Sequence, residues 1–199
     1  EYVQTLLEPA DRLIVDSVHF NDQGDLELVK RVADESGTAP ADLNWIRLEE
    51  WRTATASVFD PPEMRDKLKS LRRVRVTANV ADESYFGERI ESLFFASWLV
   101  TMSEANVDCS FDLRRSDHRG LVRVELELEE SKATIERDPE KCVLSTNIDG
   151  HKVNVPDAVT RSKLRNIDEL IVRVLKQPSS DRLLPKILPG TLTLAKQMK

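Results

Sequence analysis

The first strong apolar run of the chain is Leu13-Ile14-Val15, bracketed by Asp11-Arg12 and Asp16-Ser17. A short continuous run bounded by polar residues fits a strand buried on both faces, as in a parallel sheet. Leu26, Val29, Val32 and Ala33 then recur at three and four. They predict a helix opened by Gly24-Asp25, with Asp25 as its cap, and closed by Ser36-Gly37-Thr38. Asp42 precedes a longer helical stretch over 44–59, stopped by Asp60-Pro61-Pro62. A helix over 63–71 feeds a strand in which Val74, Val76 and Ala78 alternate with Arg73, Arg75 and Thr77. Over 85–104, Phe86, Ile90, Phe94, Trp98 and Met102 lie four apart, and Leu93, Phe95, Leu99 and Val100 widen the stripe. A helix so broadly apolar is covered on more than one side. Strands alternating with helices are the signature of a parallel α/β layer.

After Asn106 the period changes to two. Val107, Cys109, Phe111 and Leu113 alternate with polar residues, Gly120 marks a turn, and Val122, Val124, Leu126 and Leu128 alternate with Arg123, Glu125, Glu127 and Glu129. Asp149-Gly150 is a strong hairpin signal that pairs Thr146 with Val153 and Leu144 with Val155. A last helical region covers 157–176, breaks at Gln177-Pro178-Ser179 and resumes from Asp181. The expected fold is α/β: a parallel three-layer segment over 1–106, an antiparallel β-meander over 107–156 and C-terminal helices over 157–199, forming one compact unit. The chain starts on Glu1 rather than Met, close to a strand pattern. This gives the expectation that an N-terminal part of a longer protein is missing.

Composition narrows the classes. Apolar residues make up 40% of the 199 residues and charged residues 32%, the balance of a soluble globular chain. A formal net charge of −6 repels phosphate and disfavours a nucleic-acid partner. Two cysteines fit a reducing, cytoplasmic setting and exclude a disulfide scaffold. The longest apolar stretch, 93–102, is about half of the ~20 residues a membrane span needs, so no membrane partner is expected.

No catalytic constellation emerges. His19, His118 and His151 lie far apart with no metal-ligand spacing, and the six glycines form no phosphate loop, so neither metal nor cofactor is expected. In the acidic row Glu125, Glu127, Glu129 and Glu130, the period of two places the first three on one solvated strand face. Cys109 and Cys142 fall in phase with apolar neighbours and read as buried thiols of ordinary or raised pKa. Asp16, Ser17 and His19 follow the first strand, at the end where α/β sheets bind ligands. They define one candidate site, that of an enzyme or a sugar-ligand-binding domain. The other is the segment from Asp42 to Arg52, where Asp42, Asn44, Trp45, Arg47, Trp51 and Arg52 combine residue types that dominate interface hot spots. A purely internal role, with the tryptophans as core anchors and the arginines lying over them, competes with that reading.

Asp11-Arg12-Leu13-Ile14-Val15-Asp16-Ser17, the run Asp42-Leu43-Asn44-Trp45 with Arg47-Leu48 and Trp51-Arg52, Phe59-Asp60-Pro61 and Ala96-Ser97-Trp98-Leu99 together resemble the OpcA family, in this order over roughly the first half of the chain. The resemblance implies a non-enzymatic partner of glucose-6-phosphate dehydrogenase. Such a partner promotes the assembly or allosteric activation of the enzyme that opens the oxidative pentose phosphate pathway and supplies NADPH. Photosynthetic members are also associated with thiol-based control. Here the two cysteines are 33 positions apart with no close thiol pair, and Glu49-Glu50 replaces the more usual uncharged residues within the tryptophan motif.

Overall fold

A computed structural model describes residues 12–35, 39–138, 143–149, 151–153, 166–176 and 181–198. β1 (Arg12–Val15) is followed by a 3₁₀ turn (Ser17–His19), α1 (Gln23–Glu35) and β2 (Ala39–Asp42). β1 and β2 pair in parallel, Leu13 against Pro40 and Val15 against Asp42. Alternation sends Val15 to one face of this pair, toward a core that includes Leu26 and Val29 of α1. Ile14 points to the other face, with Leu43, Ile46, Leu170 and Val174. The pair is therefore the middle of three layers. No apolar run marks β2, and Pro40 argues against a strand, so the sequence pattern misses it; an edge position tolerates the missing N–H. At the start of α1, Asp22 accepts from the Gly24 amide at 2.7 Å, whereas Asp25 reaches back to the Asn21 amide at 2.8 Å. Asp25 thus sits in the first turn rather than at the cap.

The stretch expected as one helix over 44–59 is two: α2 (Leu43–Arg47) and α3 (Glu49–Val58), jointed at Leu48. The stretch at 63–71 is likewise divided, into α4 (Pro62–Arg65) and a 3₁₀ turn (Asp66–Ser70). β3 (Arg73–Val80) joins neither β1 nor β2. It lies inside a six-stranded sheet with β4 (Asp108–Arg115), β5 (Gly120–Glu127), β6 (Lys132–Asp138), β7 (Val143–Ile148) and β8 (His151–Val153), in the order β4-β3-β5-β6-β7-β8. β3 runs parallel to β4 and antiparallel to β5, with a register shift between Thr77 and Ala78. Hydrophobic alternation predicts a half-buried strand but not its neighbours, which is why β3 reads in sequence as a continuation of the first sheet. The β7–β8 hairpin pairs Thr146 with Val153 as its turn demands. Val155, Cys142 and the break at 177–179 lie outside the described residues.

α5 (Phe86–Ser103) is the central helix, with Ile90, Leu93, Phe94, Phe95 and Ala96 fully buried. It packs on β3 and on the C-terminal helix α7 (Leu183–Gln197), while α6 (Ile167–Lys176) packs on α2. Two glycines set how closely α5 approaches its neighbours. A Cβ on Gly87 would lie 2.2 Å from the Val18 carbonyl oxygen in the turn after β1. A Cβ on Gly190 of α7 would lie 2.6 Å from Ser97 Oγ, the hydroxyl that donates to Ile187 O at 2.7 Å. The first obstacle is backbone and cannot move aside; the second is a side chain that can rotate. Gly87→Ala should therefore destabilise by about 3 kcal/mol and Gly190→Ala by about 1 kcal/mol, read by denaturant unfolding. The reverse order would show that the α5–α7 crossing is the tighter contact.

Candidate functional site

Asp42 ends β2 and caps α2, accepting from the Asn44 amide at 2.8 Å and from the Ser17 amide at 3.3 Å. The same carboxylate thus ties the turn after β1 to the end of β2. Burial pushes its pKa up to about 6, against these hydrogen bonds, which pull it down. Arg47, at the end of α2, donates to both oxygens of Asp16, at 2.6 and 2.8 Å. Two groups of residues that are separate in sequence, Asp16 and Ser17 on one side and Asp42, Asn44 and Arg47 on the other, are therefore one cluster. His19 is exposed. Asn44 is 1% exposed, and neither end of its amide finds a partner among the described residues.

The cluster continues into the sheet. The carboxyl of half-buried Glu91 on α5 is pushed up by desolvation, against the pull of Arg137, Arg47 and the Leu121 amide. Gly120, at φ +107°, leaves the room these groups occupy: a Cβ there would lie 3.3 Å from Glu91 Oε2 and 3.8 Å from Arg137 Nη1. Neither Glu91 nor Arg137 is evident from motif spacing, yet each carries a signal. Arg137 falls in phase with the buried Ala133 and Ile135, and Glu91 lies one turn before buried Phe94 and Phe95. A charge at a dry position is the trace of an internal partner.

Trp45 and Trp51 are each 1% exposed. Trp45 meets Phe94 edge to face at 6.1 Å and donates its indole N–H to Asp181 Oδ2 at 2.6 Å, just ahead of α7. Trp51 meets Phe95 at 6.4 Å, and the Arg137 guanidinium lies 5.4 Å from its ring. Arg52 stacks 3.7 Å above the Trp45 ring; burial lowers its pKa, against the pull of Asp181 and Glu49. Glu49 in turn pairs with Arg173 of α6. The motif is thus a hub joining α2, α3, α5, α6 and the start of α7, and Arg47 finds its internal carboxylate in Asp16.

Near the ends of β1 and β2 the start of α5 closes on the turn after β1, Gly87 lying against the Val18 and Phe20 carbonyls. A depression of about 200 Å³ lies elsewhere, on the open sheet face, lined by Arg73, Arg75, Glu125, Glu127, Lys132 and Thr134. There Arg73 bridges Asp108 at 3.1 Å and Glu127 at 3.4 Å, while Arg75 faces Glu125 at 3.7 Å. The acidic row is on the solvent side, answered by arginines of β3. Among the described residues no group of three His, Cys, Asp or Glu is placed to hold a metal. No helix among them is long and apolar enough to cross a membrane. Cys109 is half-buried rather than buried, and burial with Asp108 nearby pushes its pKa up to about 11.

Residues 38–188 match the sequence profile that describes the C-terminal domain of a glucose-6-phosphate dehydrogenase subunit. A cyanobacterial protein named for OpcA of the OxPP cycle, from Synechocystis sp., is 35% identical over 100 residues, 49% of this chain and 19% of that one. Its namesake from Synechococcus elongatus is 31% identical over 134 residues, 62% of this chain and 28% of that one. The chain thus aligns with less than a third of either relative. A solved structure from Thermotoga maritima, described as an oxidoreductase, superposes with a TM-score of 0.58 at 11% identity, covering 98% of this chain and 71% of that one. Another so described, from Magnetospirillum magnetotacticum, gives 0.57 at 12% identity, covering 96% and 73%. Likeness at that identity is one of fold alone.

The Asp42 carboxyl gives a pH signature of inverted sign. Its folded pKa, about 6, lies above its unfolded value of 3.8, so the folded state holds the proton more tightly. Its cost is absent below the unfolded value, grows as pH rises through this window and is complete above the folded one, on the order of 2–3 kcal/mol. Asp42→Asn keeps a competent cap but cannot ionise. The stability difference between wild type and this variant should therefore shift in favour of the variant between pH 4 and pH 7. A difference independent of pH, measured by unfolding at several pH values, would refute the buried ionisation.

Proposed function

The chain belongs to the family of C-terminal domains of glucose-6-phosphate dehydrogenase subunits, and we propose that it is a non-enzymatic effector that binds this dehydrogenase and promotes its assembly or allosteric activation. It would thereby set entry to the oxidative pentose phosphate pathway and the supply of NADPH, in the cytoplasm. The observation that carries this reading is the extent of the family match. Residues 38–188 contain the tryptophan–arginine motif and nearly every group it anchors, from β2 to Asp181 and the first turns of α7. The geometry is consistent with a binding role, because the two carboxylates at the strand ends, Asp16 and Asp42, are engaged by Arg47 and by backbone amides.

Asp42, Asn44, Trp45, Arg47, Trp51 and Arg52 then serve the partner from beneath. The motif helix α2 carries α6: Leu43 and Ile46 pack on Leu170 and Val174, and Arg173 is held by Glu49. On its outer side α6 exposes Val172 at 46% and Leu175 at 65%, two of the large apolar side chains so exposed among the described residues. That face is the contact we assign to the dehydrogenase. An effector of this kind works by binding the active form more tightly, about 1.4 kcal/mol for each tenfold shift in population.

Dehydrogenase kinetics with and without the chain, together with co-elution, are the test. Leu175→Glu should weaken activation at least about tenfold while leaving the melting temperature unchanged, since an exposed side chain contributes little to folding. Trp45→Ala should instead lower stability, by about 3–5 kcal/mol. Unchanged kinetic constants and no co-elution with the cognate enzyme would remove the proposal. Full activation by Leu175→Glu would move the contact away from α6.

A further inference from the structure

Among the described residues β4 is an edge strand, and its own sequence carries few of the usual protections. Among the described residues it pairs only with β3, in a register unbroken from Asp108 beside Arg73 to Arg115 beside Val80. Its sequence, Asp-Cys-Ser-Phe-Asp-Leu-Arg-Arg, holds no proline and no glycine. Natural sheets blunt such edges with short strands, prolines, bulges or charge; here only charge is present. The apolar row is also unfinished. Cys109, Phe111 and Leu113 are half-buried, where Val74 and Val76 of the adjacent β3 are fully buried.

The hydrogen-bonding direction follows from the strand's two ends. The Asp108 amide donates to Arg72 O at 2.8 Å and the Ser116 amide to Val80 O at 2.9 Å, both toward β3. By the period of two, the amides and carbonyls of Cys109, Phe111 and Leu113 face the free edge. Laid antiparallel against itself about a two-fold axis at Phe111, the strand sets Phe111 opposite Phe111 and Cys109 opposite Leu113 on the helix side. On the other face Asp108 falls opposite Arg114, and Ser110 opposite Asp112. Apolar residues meet apolar residues, and Asp108 meets its charge complement in Arg114. Asp108 and Arg114 have partners already, Arg73 at 3.1 Å and Asp112 at 2.7 Å. Those pairs are solvent-exposed and weakly held, so both side chains can be shared.

We propose that β4 is a self-association edge, which joins two copies of this chain through antiparallel β4–β4 pairing centred on Phe111 and makes one continuous sheet from two six-stranded ones. The contact is isologous, each residue pair occurring twice. It uses a different surface from α6 and does not depend on the dehydrogenase reading.

Sedimentation equilibrium of the 199-residue chain tests it. A dimer of twice 22.7 kDa is expected. A contact this small implies a dissociation constant on the order of 10–100 μM. Phe111→Pro removes an N–H that faces the free edge without touching the β3 ladder, and should weaken association at least about tenfold because the loss is counted twice. Asp108→Arg and Arg114→Asp should each do the same by setting like charges opposite, and the double variant should restore the dimer. Retained far-ultraviolet dichroism in all the variants, with an unchanged melting temperature in Asp108→Arg and Arg114→Asp, excludes unfolding as the cause. A chain monomeric to about 200 μM overturns the proposal, as does a dimer insensitive to all three substitutions. A monomer whose binding to the dehydrogenase is lost in Phe111→Pro assigns the edge to that enzyme and overturns self-association as well.

Discussion

Charge buried at the ends of two short parallel strands has to be paired inside the protein, and the way it is paired ties the two halves of the fold together. Asp16 is held by both guanidinium nitrogens of Arg47, and Asp42 is held by the amides of Ser17 and Asn44. Glu91 sits beyond them with Arg137 and the Leu121 amide. The acids and bases come from the turn after β1, from β2, α2, α5 and β6. A buried carboxylate without such partners would cost several kcal/mol, so these elements cannot separate without exposing or orphaning a charge. Gly120 is the steric side of the same constraint, leaving the space in which Glu91 and Arg137 meet, and Gly87 lets α5 close on the turn after β1.

That arrangement also bears on function. Ligand sites in open α/β sheets form where polar groups at strand ends stay available to something outside the protein. Here Asp16 is engaged by Arg47 and Asp42 by two backbone amides, whereas the buried Asn44 amide has no partner among the described residues. The likeness to oxidoreductases is one of architecture. Two surfaces stand out among the described residues. α6 offers apolar side chains supported from below by the tryptophan–arginine motif, whereas the sheet offers a face of exposed, mutually paired charges and one free edge.

The two faces of the six-stranded sheet divide its labour. Val74, Val76, Val124, Leu126, Ala133 and Ile135 close on α3 and α5 with no exposure to solvent beyond 1%. On the opposite face Asp108, Arg73, Glu127 and Lys132 stand side by side in register, alternating in sign. Such a ladder keeps a charged sheet face compatible with solvent while leaving little net field, in a chain whose overall charge is −6.

Much of this was legible in the one-dimensional pattern. The strand at Leu13–Val15, half-buried rather than buried on both faces, the broad apolar helix at Phe86–Ser103 and the β7–β8 hairpin all follow from local periodicity and turn chemistry, which depend on near neighbours in sequence. The family resemblance rests on the same local information, because Trp45, Arg47, Trp51 and Arg52 lie close together in the chain. What only the tertiary structure decided is pairing over distance. That β3 leaves the first sheet and inserts between β4 and β5, that Arg47 chooses Asp16 31 positions away, and that Trp45 donates to Asp181 136 positions away are not written in any window of sequence. Hydrophobic period says which face of an element turns inward. It does not say which other element lies there, because that is settled by packing the whole chain at once, where burying a charge is tolerable only beside a partner brought from elsewhere.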